Sequence, residues 1–315
     1  MHTYSLLAPA KINLYLEILG YRPDGYHELA MVMQSIGLAD RLTLRPLSTE
    51  TIRLHCQHPD LPIASDNLAY RAAQLMATEF QDMFSKYGGI EITLDKRIPI
   101  GAGLAGGSTD AAAVLVGIDL LWRLGLTREE LQTLGARLGS DVPFCIAGGT
   151  SLATGRGEIL SPLPDLADLW LVLAKYRSLH ISTAWAYQTY RQQFGQPYQP
   201  HPDRPAGERV RVGALVSAIA HRDHRQLGLH LTNDFERVIF PAHPQVQHLR
   251  DVLGAQPGVL GAMMSGSGPS VFALVESQAL AVAVQTQVQA QLADPDLDVW
   301  VSQMMPAGIQ IITAD

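Results

Sequence analysis

Residues 99–113 read "PIGAGLAGGSTDAAA", with four glycines between positions 101 and 107. So many residues free to take positive φ exclude a helix or strand interior, where each glycine lowers stability by roughly 0.5–1 kcal/mol. The stretch must be a loop, and the alanines behind it favour a helix. Such a loop wraps backbone N–H groups around an anion, and the helix N-terminus adds its dipole. Taken alone, it is either a phosphate-binding loop or a glycine turn capped by Ser108 or Asp110.

Two familiar phosphate loops do not fit. A dinucleotide fingerprint needs a second strand ending in an acid about 20 residues on. That region here is "LGLTREELQTL", a turn into a helix, and Pro99 separates the preceding strand from the glycines. A P-loop closes on Gly-Lys-Ser/Thr, whereas the residues here are Gly107, Ser108 and Thr109. The stretch "HRDHRQLG" at 221–228 imitates a protein-kinase catalytic loop. It puts Gly228 where the metal-binding Asn belongs, so it reads as a charged surface helix. Two further glycine-serine stretches, "GGTSLATGRGE" (148–158) and "MMSGSGPSVF" (263–272), strengthen the phosphate reading.

The 315 residues are 47% hydrophobic with a formal charge of -7. That supports a sizeable core in one large or two ordinary domains. It gives no basic field, so nucleic acid is not expected as a partner. Cys56 and Cys145 have no Cys-x-x-Cys spacing, which predicts free thiols in a reducing compartment. The opening "MHTYSLLAPAKINLYL" has no signal-peptide pattern, and no apolar run approaches the roughly 20 residues of a membrane span. A cytoplasmic location is expected, or a plastid-like compartment if a transit segment was removed, with no membrane partner.

Alternation in "KINLYLEIL" predicts a strand with Lys11, Asn13, Tyr15 and Glu17 on one face and Ile12, Leu14, Leu16 and Ile18 on the other. "YRPDGYHEL" reads as a tight turn, and "MVMQSIGL", "RLTLRPL", "TIRLHC" and "GIEITLDK" as separate strands. A helix capped by Ser65 or Asp66 is predicted over "SDNLAYRAAQLMATEF". A long buried helix follows the glycine loop, and Thr127 with Glu130 predicts a capping box on the next. Prolines in "SPLPDLAD" place a domain boundary near residue 162, giving residues 1–161 and 162–315. Interleaved elements with close strand pairs predict a mixed α/β chain.

The opening "APAKINLYLEILGYRPDGYHELAMVMQSI", the glycine loop, "GSDVPF" and "MSGSGPSVF" together resemble the GHMP kinase superfamily. The resemblance implies an α/β (α+β) fold of two domains. The first is like the second domain of ribosomal protein S5, and the second is ferredoxin-like, with a cleft between them. It implies ATP and Mg²⁺ as cofactors and a monomer or weak homodimer. The implied acceptor is a small molecule carrying a cytidine diphosphate group. Phosphate would pass to the 2-hydroxyl of its methylerythritol unit, in the non-mevalonate isoprenoid route.

The resemblance also assigns residues. Asp141 is the implied catalytic base and Lys11 its neighbour. The residues alone leave Asp141 equally a helix cap and Lys11 a solvated strand position. Asn13, on the same face, would position the acceptor. The ATP loop would use Pro99, Gly101, Gly103, Leu104, Ala105, Gly106, Gly107, Ser108 and Thr109, with Lys96 and Asn67 toward the adenosine. Tyr26 and His27 would serve the cytidine, and Tyr187 its other face. Taken as residues only, His27 is also an ordinary turn histidine and Tyr187 a core aromatic. No acid is placed for Mg²⁺ by spacing, while Asn233 and Asp234 read as helix caps. The family loop usually runs Gly-Leu-Gly-Gly-Gly-Ser-Ser, so Ala105 and Thr109 depart from it. Thr109 keeps a hydroxyl for phosphate or Mg²⁺. If position 105 takes positive φ, alanine costs about 1 kcal/mol.

Overall fold

Two long antiparallel strands, β1 (Tyr4–Tyr21) and β2 (His27–Pro46), open the structure. It is a computed structural model that describes residues 3–56, 66–198 and 211–312. The strands turn at residues 22–26, where Tyr26 O accepts the Arg22 N–H (2.7 Å) and Gly25 takes φ +87. The segments "MVMQSIGL" and "RLTLRPL" are one strand here, not two. A register shift between Pro9 and Lys11 lets β2 bend without breaking. A further shift between Asn13 and Tyr15 divides the apolar face expected along β1. Ile12, Leu14 and Tyr15 enter one core, and Leu16 and Ile18 enter the other.

The first sheet runs β12-β1-β2-β4-β3, with β3 (Ile52–Cys56), β4 (Ile90–Asp95) and β12 (Gln310–Ile312). The hairpin β5 (Thr150–Gly155) and β6 (Ile159–Pro162) pairs with β2 through β5. β8 (Thr232–Asn233) lies parallel to β1 at Tyr15 and Leu16. Five helices accompany this sheet: α1 (Leu68–Glu79), α2 (Gln81–Tyr87), α3 (Gly106–Trp122), α4 (Arg128–Ala136) and α5 (Val142–Ala147). α3 is the central one, with Ala111 through Leu115 fully buried, as a helix apolar on nearly every side must be. α4 carries the predicted Thr127–Glu130 capping box. α1 is capped by Asn67, whose Oδ1 accepts the Ala69 N–H at 2.9 Å. Asp66 lies one position too early to do so, and Ser65 lies outside the described residues.

The second sheet is built entirely from later residues. β7 (Trp170–Tyr176) leads through α6 (Thr183–Phe194), α7 (Arg211–Ala220), α8 (His224–Leu229), α9 (Glu236–Ala242) and α10 (Pro244–Gly254) to β9 (Gly261–Met264). β10 (Val271–Val275), α11 (Gln278–Leu292) and β11 (Leu297–Gln303) complete it. The order β11-β7-β10-β9, antiparallel at every pair, is the ferredoxin-like arrangement. The sequence boundary near 162 falls at the end of β6. The two halves nonetheless interlock, because β8 and β12 return from the second half to pair with β1.

Candidate active site

β4 delivers the chain into the glycine loop, and α3 carries it away. Gly101 and Gly103 take φ +61 and +74, and Ala105 takes φ 57 at the helix N-cap. A side chain at Gly103 has no room, since its Cβ would lie 2.3 Å from Ser265 O. The second glycine stretch, residues 265–268 between β9 and β10, backs this loop. Ser265 Oγ donates to Gly103 O (3.2 Å) and accepts the Asn13 N–H (3.3 Å), while Lys11 N–H donates to Leu104 O (3.1 Å). β1 and both loops are thus held together by one main-chain bond and by the Ser265 hydroxyl bridging two main chains.

Ala105 is therefore strained as the sequence warned. Left-handed backbone costs an L-residue roughly 1–2 kcal/mol, and glycine returns part of that as unfolded-chain entropy. Ala105→Gly is expected to raise stability by about 0.5–1 kcal/mol, read as a higher urea midpoint at unchanged m-value.

The loop lines a cleft of about 420 Å³. Lys11, Asn13, Asn67, Lys96, Pro99, Gly101, Gly103, Leu104, Ala105, Gly106, Gly107, Asp141 and Tyr187 all reach it. Ser108 and Thr109 do not. On α3 the cleft-facing positions are Gly106, Gly107 and Asp110, spaced as one helical face, and Thr109 is fully buried on another.

Lys11 and Asp141 meet at 3.6 Å, Nζ to Oδ2, with side chains 6% and 28% exposed. Lys11 Nζ also donates to Asn13 Oδ1 at 2.7 Å. Asp141 occupies the N-cap position of α5, yet its side chain makes no capping bond. Capping does not occupy this carboxylate, which faces the lysine and the cleft.

A second cavity, about 670 Å³, holds Tyr26 and His27. It shares Leu29, Ser140, Arg156 and Tyr187 with the first, so the two adjoin. His27 and Tyr187 stack on each other at 4.8 Å and 25°, and Tyr187 stands edge-on to Phe235 at 4.8 Å. No base fits between His27 and Tyr187. Tyr26 is 55% exposed at the rim, with the Arg156 guanidinium 4.7 Å from its ring centroid. Burial, helped by the Arg191 charge, lowers the His27 pKa. At neutral pH its ring is uncharged, able to donate and accept.

Residues 67–149 match the GHMP kinases N terminal domain and residues 215–294 the GHMP kinases C terminal family. The chain is 60% identical over 316 residues to the 4-diphosphocytidyl-2-C-methyl-D-erythritol kinase of Nostoc punctiforme, covering 100% of both. It is 57% identical over 316 residues to the same kinase of Synechocystis sp., covering 99% of each. The chain belongs to the GHMP kinase family, in this branch of it. A crystal structure of 4-(cytidine 5'-diphospho)-2C-methyl-D-erythritol kinase superposes with TM-score 0.74 at 32% identity, covering 95% of this chain and 98% of that one. The homoserine kinase of Cytophaga hutchinsonii, at 21% identity and TM-score 0.74 with 99% and 98% covered, shares the fold.

Within this GHMP kinase, Lys96 has an unforeseen setting. Its Nζ lies 2.5 Å from Asp40 Oδ2 and 2.7 Å from Asp110 Oδ2, with all three side chains buried. Asp40 Oδ1 accepts the N–H groups of Arg97 (2.6 Å) and Ile98 (2.8 Å), whereas Asp110 Oδ1 is buried without a hydrogen-bond partner among the described residues. Burial pushes the Asp110 carboxyl up to about 8 against the pull of Lys96. Burial also acts to lower Lys96, but the two carboxylates outweigh it and hold the lysine above its usual value. An acid inside an alanine run was the available signal for Asp110.

Asn233 and Asp234 are not the helix caps the sequence suggested, because Phe235 is the N-cap of α9 and no side chain caps it. Asn233 Nδ2 donates to Met264 O and Gly266 O, both at 2.8 Å, and its Oδ1 accepts the Phe235 N–H. Asp234 Oδ2 accepts the Ile18 N–H (2.8 Å) and the Tyr190 hydroxyl (3.3 Å). Together they tie the second glycine loop to β1 and α6.

Proposed function

We infer that the chain transfers the γ-phosphoryl group of ATP to the 2-hydroxyl of 4-diphosphocytidyl-2-C-methyl-D-erythritol. The observation that carries this is one cleft in which the Lys11–Asp141 pair faces a glycine cradle. Asp141 accepts the proton of the attacking hydroxyl, since its carboxylate is not used in capping. Lys11, fixed by Asn13, offsets charge developing on the transferred group. The loop of residues 101–107 offers main-chain N–H groups to the phosphates, and its glycines keep side chains out of their way.

Among the described residues no cluster of three or more acids, histidines or cysteines is placed to hold a metal. Mg²⁺ bound by ATP needs few protein ligands, commonly one or two carboxylates. Asp110 fits that donor set, because its Oδ1 has no hydrogen-bond partner among the described residues and its residue lines the cleft. Mg²⁺ held there would supply neutralising charge to the phosphate oxygens. Lys96 shapes the wall of the cleft and reaches it with its ammonium already paired. Asn67 stands beside it, its Oδ1 spent on the α1 cap. Tyr26 and His27 receive the cytosine edge and face at the outer cavity, while Tyr187 supports His27 from behind.

The test is a panel of alcohols with and without the cytidylyl group, followed by mass detection of the phosphorylated product. ATP-dependent product is expected only with the cytidylyl alcohol. Equal turnover of homoserine or mevalonate would overturn the acceptor reading.

A further inference from the structure

Asn233 lines neither cavity and has no part in the steps above, yet this buried amide is bonded to the second glycine loop. We infer that Asn233 is a positioning residue for phosphoryl transfer. Through the loop at 265–268 it fixes the phosphate cradle against the strand that carries Lys11 and Asn13. This rests on the phosphoryl-transfer reading above.

That loop is the spacer between the two halves of the chemistry. On the nucleotide side, a Cβ at Gly266 would lie 2.9 Å from Gly103 O and 3.4 Å from Gly103 Cα. On the acceptor side, the same Cβ would lie 3.5 Å from Asn13 Oδ1, the atom that accepts the Lys11 ammonium. Ser265 repeats the pattern, with its hydroxyl bonded to Gly103 O and to the Asn13 N–H. Gly266 takes φ +56 and has no side chain to hold it, so bonds to its backbone must set its position.

Asn233 supplies such a bond. Its Nδ2 donates at 2.8 Å to both Met264 O and Gly266 O, spanning the entrance of the loop. Carbonyls take only donors, and Asn is the shortest neutral side chain with two N–H donors and an acceptor. The acceptor, Oδ1, takes the Phe235 N–H at 3.0 Å, so the amide is held at both ends. Its backbone pairs with Leu16 of β1, and the next N–H, of Asp234, donates to Leu16 O at 2.9 Å. Glu236 completes the grip, its Oε1 accepting the Met264 N–H at 2.9 Å. The far end of the loop is tied elsewhere, by Ser267 to Thr183 of α6 at 2.8 Å. Asn233 therefore sets the Gly266 end, and sets it relative to the strand that carries Lys11.

Phosphoryl transfer depends on alignment and charge, and a misplacement of about 1 Å can cost about 10²-fold in rate. Loosening Gly266 lets cradle and strand drift apart while every group proposed to touch a substrate stays in the chain.

Asn233→Asp keeps the shape and the Oδ1 acceptor and loses both donors. Asn233→Ala removes all three bonds without adding a buried charge. Either should lower kcat about 10–100-fold, with KM for ATP and for the cytidylyl alcohol moved less than about threefold. Glu236→Gln keeps an acceptor oxygen for Met264 and should hold kcat within about twofold. Tyr190→Phe removes a hydroxyl bond to Asp234 but none to the loop. It should lower the melting temperature and leave kcat within about twofold. Amide hydrogen exchange gives a readout that needs no turnover. Residues 101–107 and 265–268 should exchange at least about tenfold faster in the Asn233 variants, and at the wild-type rate in Tyr190→Phe. The inference is overturned if both Asn233 variants keep kcat within about twofold, if KM carries the loss, or if exchange at the two loops is unchanged. An equal kcat loss in Tyr190→Phe at a matched melting temperature also overturns it, since any destabilisation would then suffice. Should wild type phosphorylate no cytidylyl alcohol, the functional reading fails instead, and the exchange comparison still decides whether Asn233 sets the two loops.

Discussion

Asp141→Asn should lower kcat by about 10²–10⁴-fold while ATP affinity stays within about twofold. The substitution keeps the size of the side chain and removes only its capacity to take a proton. It leaves no broken cap behind, because Asp141 makes no capping bond to α5. Lys11 keeps its 2.7 Å bond to Asn13, so the strand side of the cleft stays in place. Steady-state kinetics with the cytidylyl alcohol, paired with ATP titration of the same sample, separates the two effects. An undiminished rate would remove Asp141 from the chemistry. Equal loss of ATP binding would make it a structural residue.

Lys96→Met should cost about 3–5 kcal/mol of stability, because it removes the ammonium that the buried Asp40 and Asp110 share and leaves the Asp40 charge without its cation. Chemical denaturation measures it, and a loss under about 1 kcal/mol would mean water already reaches the triad. The same cluster sets a pH dependence. Asp110 holds its proton to about 8 in the folded chain, whereas an unfolded aspartate releases it near 3.9. Between about pH 4 and 8 the folded state therefore carries the extra proton, and stability falls as pH rises through that window. Asp110→Asn should flatten that slope in melting temperature against pH, because the amide has no proton to lose.

What the sequence made legible was local. The glycine loop, the buried helix behind it and the Thr127–Glu130 capping box each depend on spacings of a few residues, and each stands where expected. Long-range register was not legible. The bulges in β1 decide which core receives Leu16, and nothing in "KINLYLEIL" marks them. The Asp40–Lys96–Asp110 cluster joins residues 56 and 14 positions apart, so no short motif contains it. Ser108 and Thr109 belong to the loop by resemblance, but the helical turn starts at Gly106 and rotates them off the cleft.

The strand carrying Lys11 and Asn13 takes β2 along one edge and finds β12 and β8 along the other. During translation, that outer edge stays open until segments made far later arrive to close it. The catalytic strand thus reaches its final bonding only after the ferredoxin-like half has been synthesised. Residues 1–161 expressed alone would present a long bare edge, ready to pair with a neighbouring copy. Splitting the gene at the apparent domain boundary would yield aggregates in place of a working half.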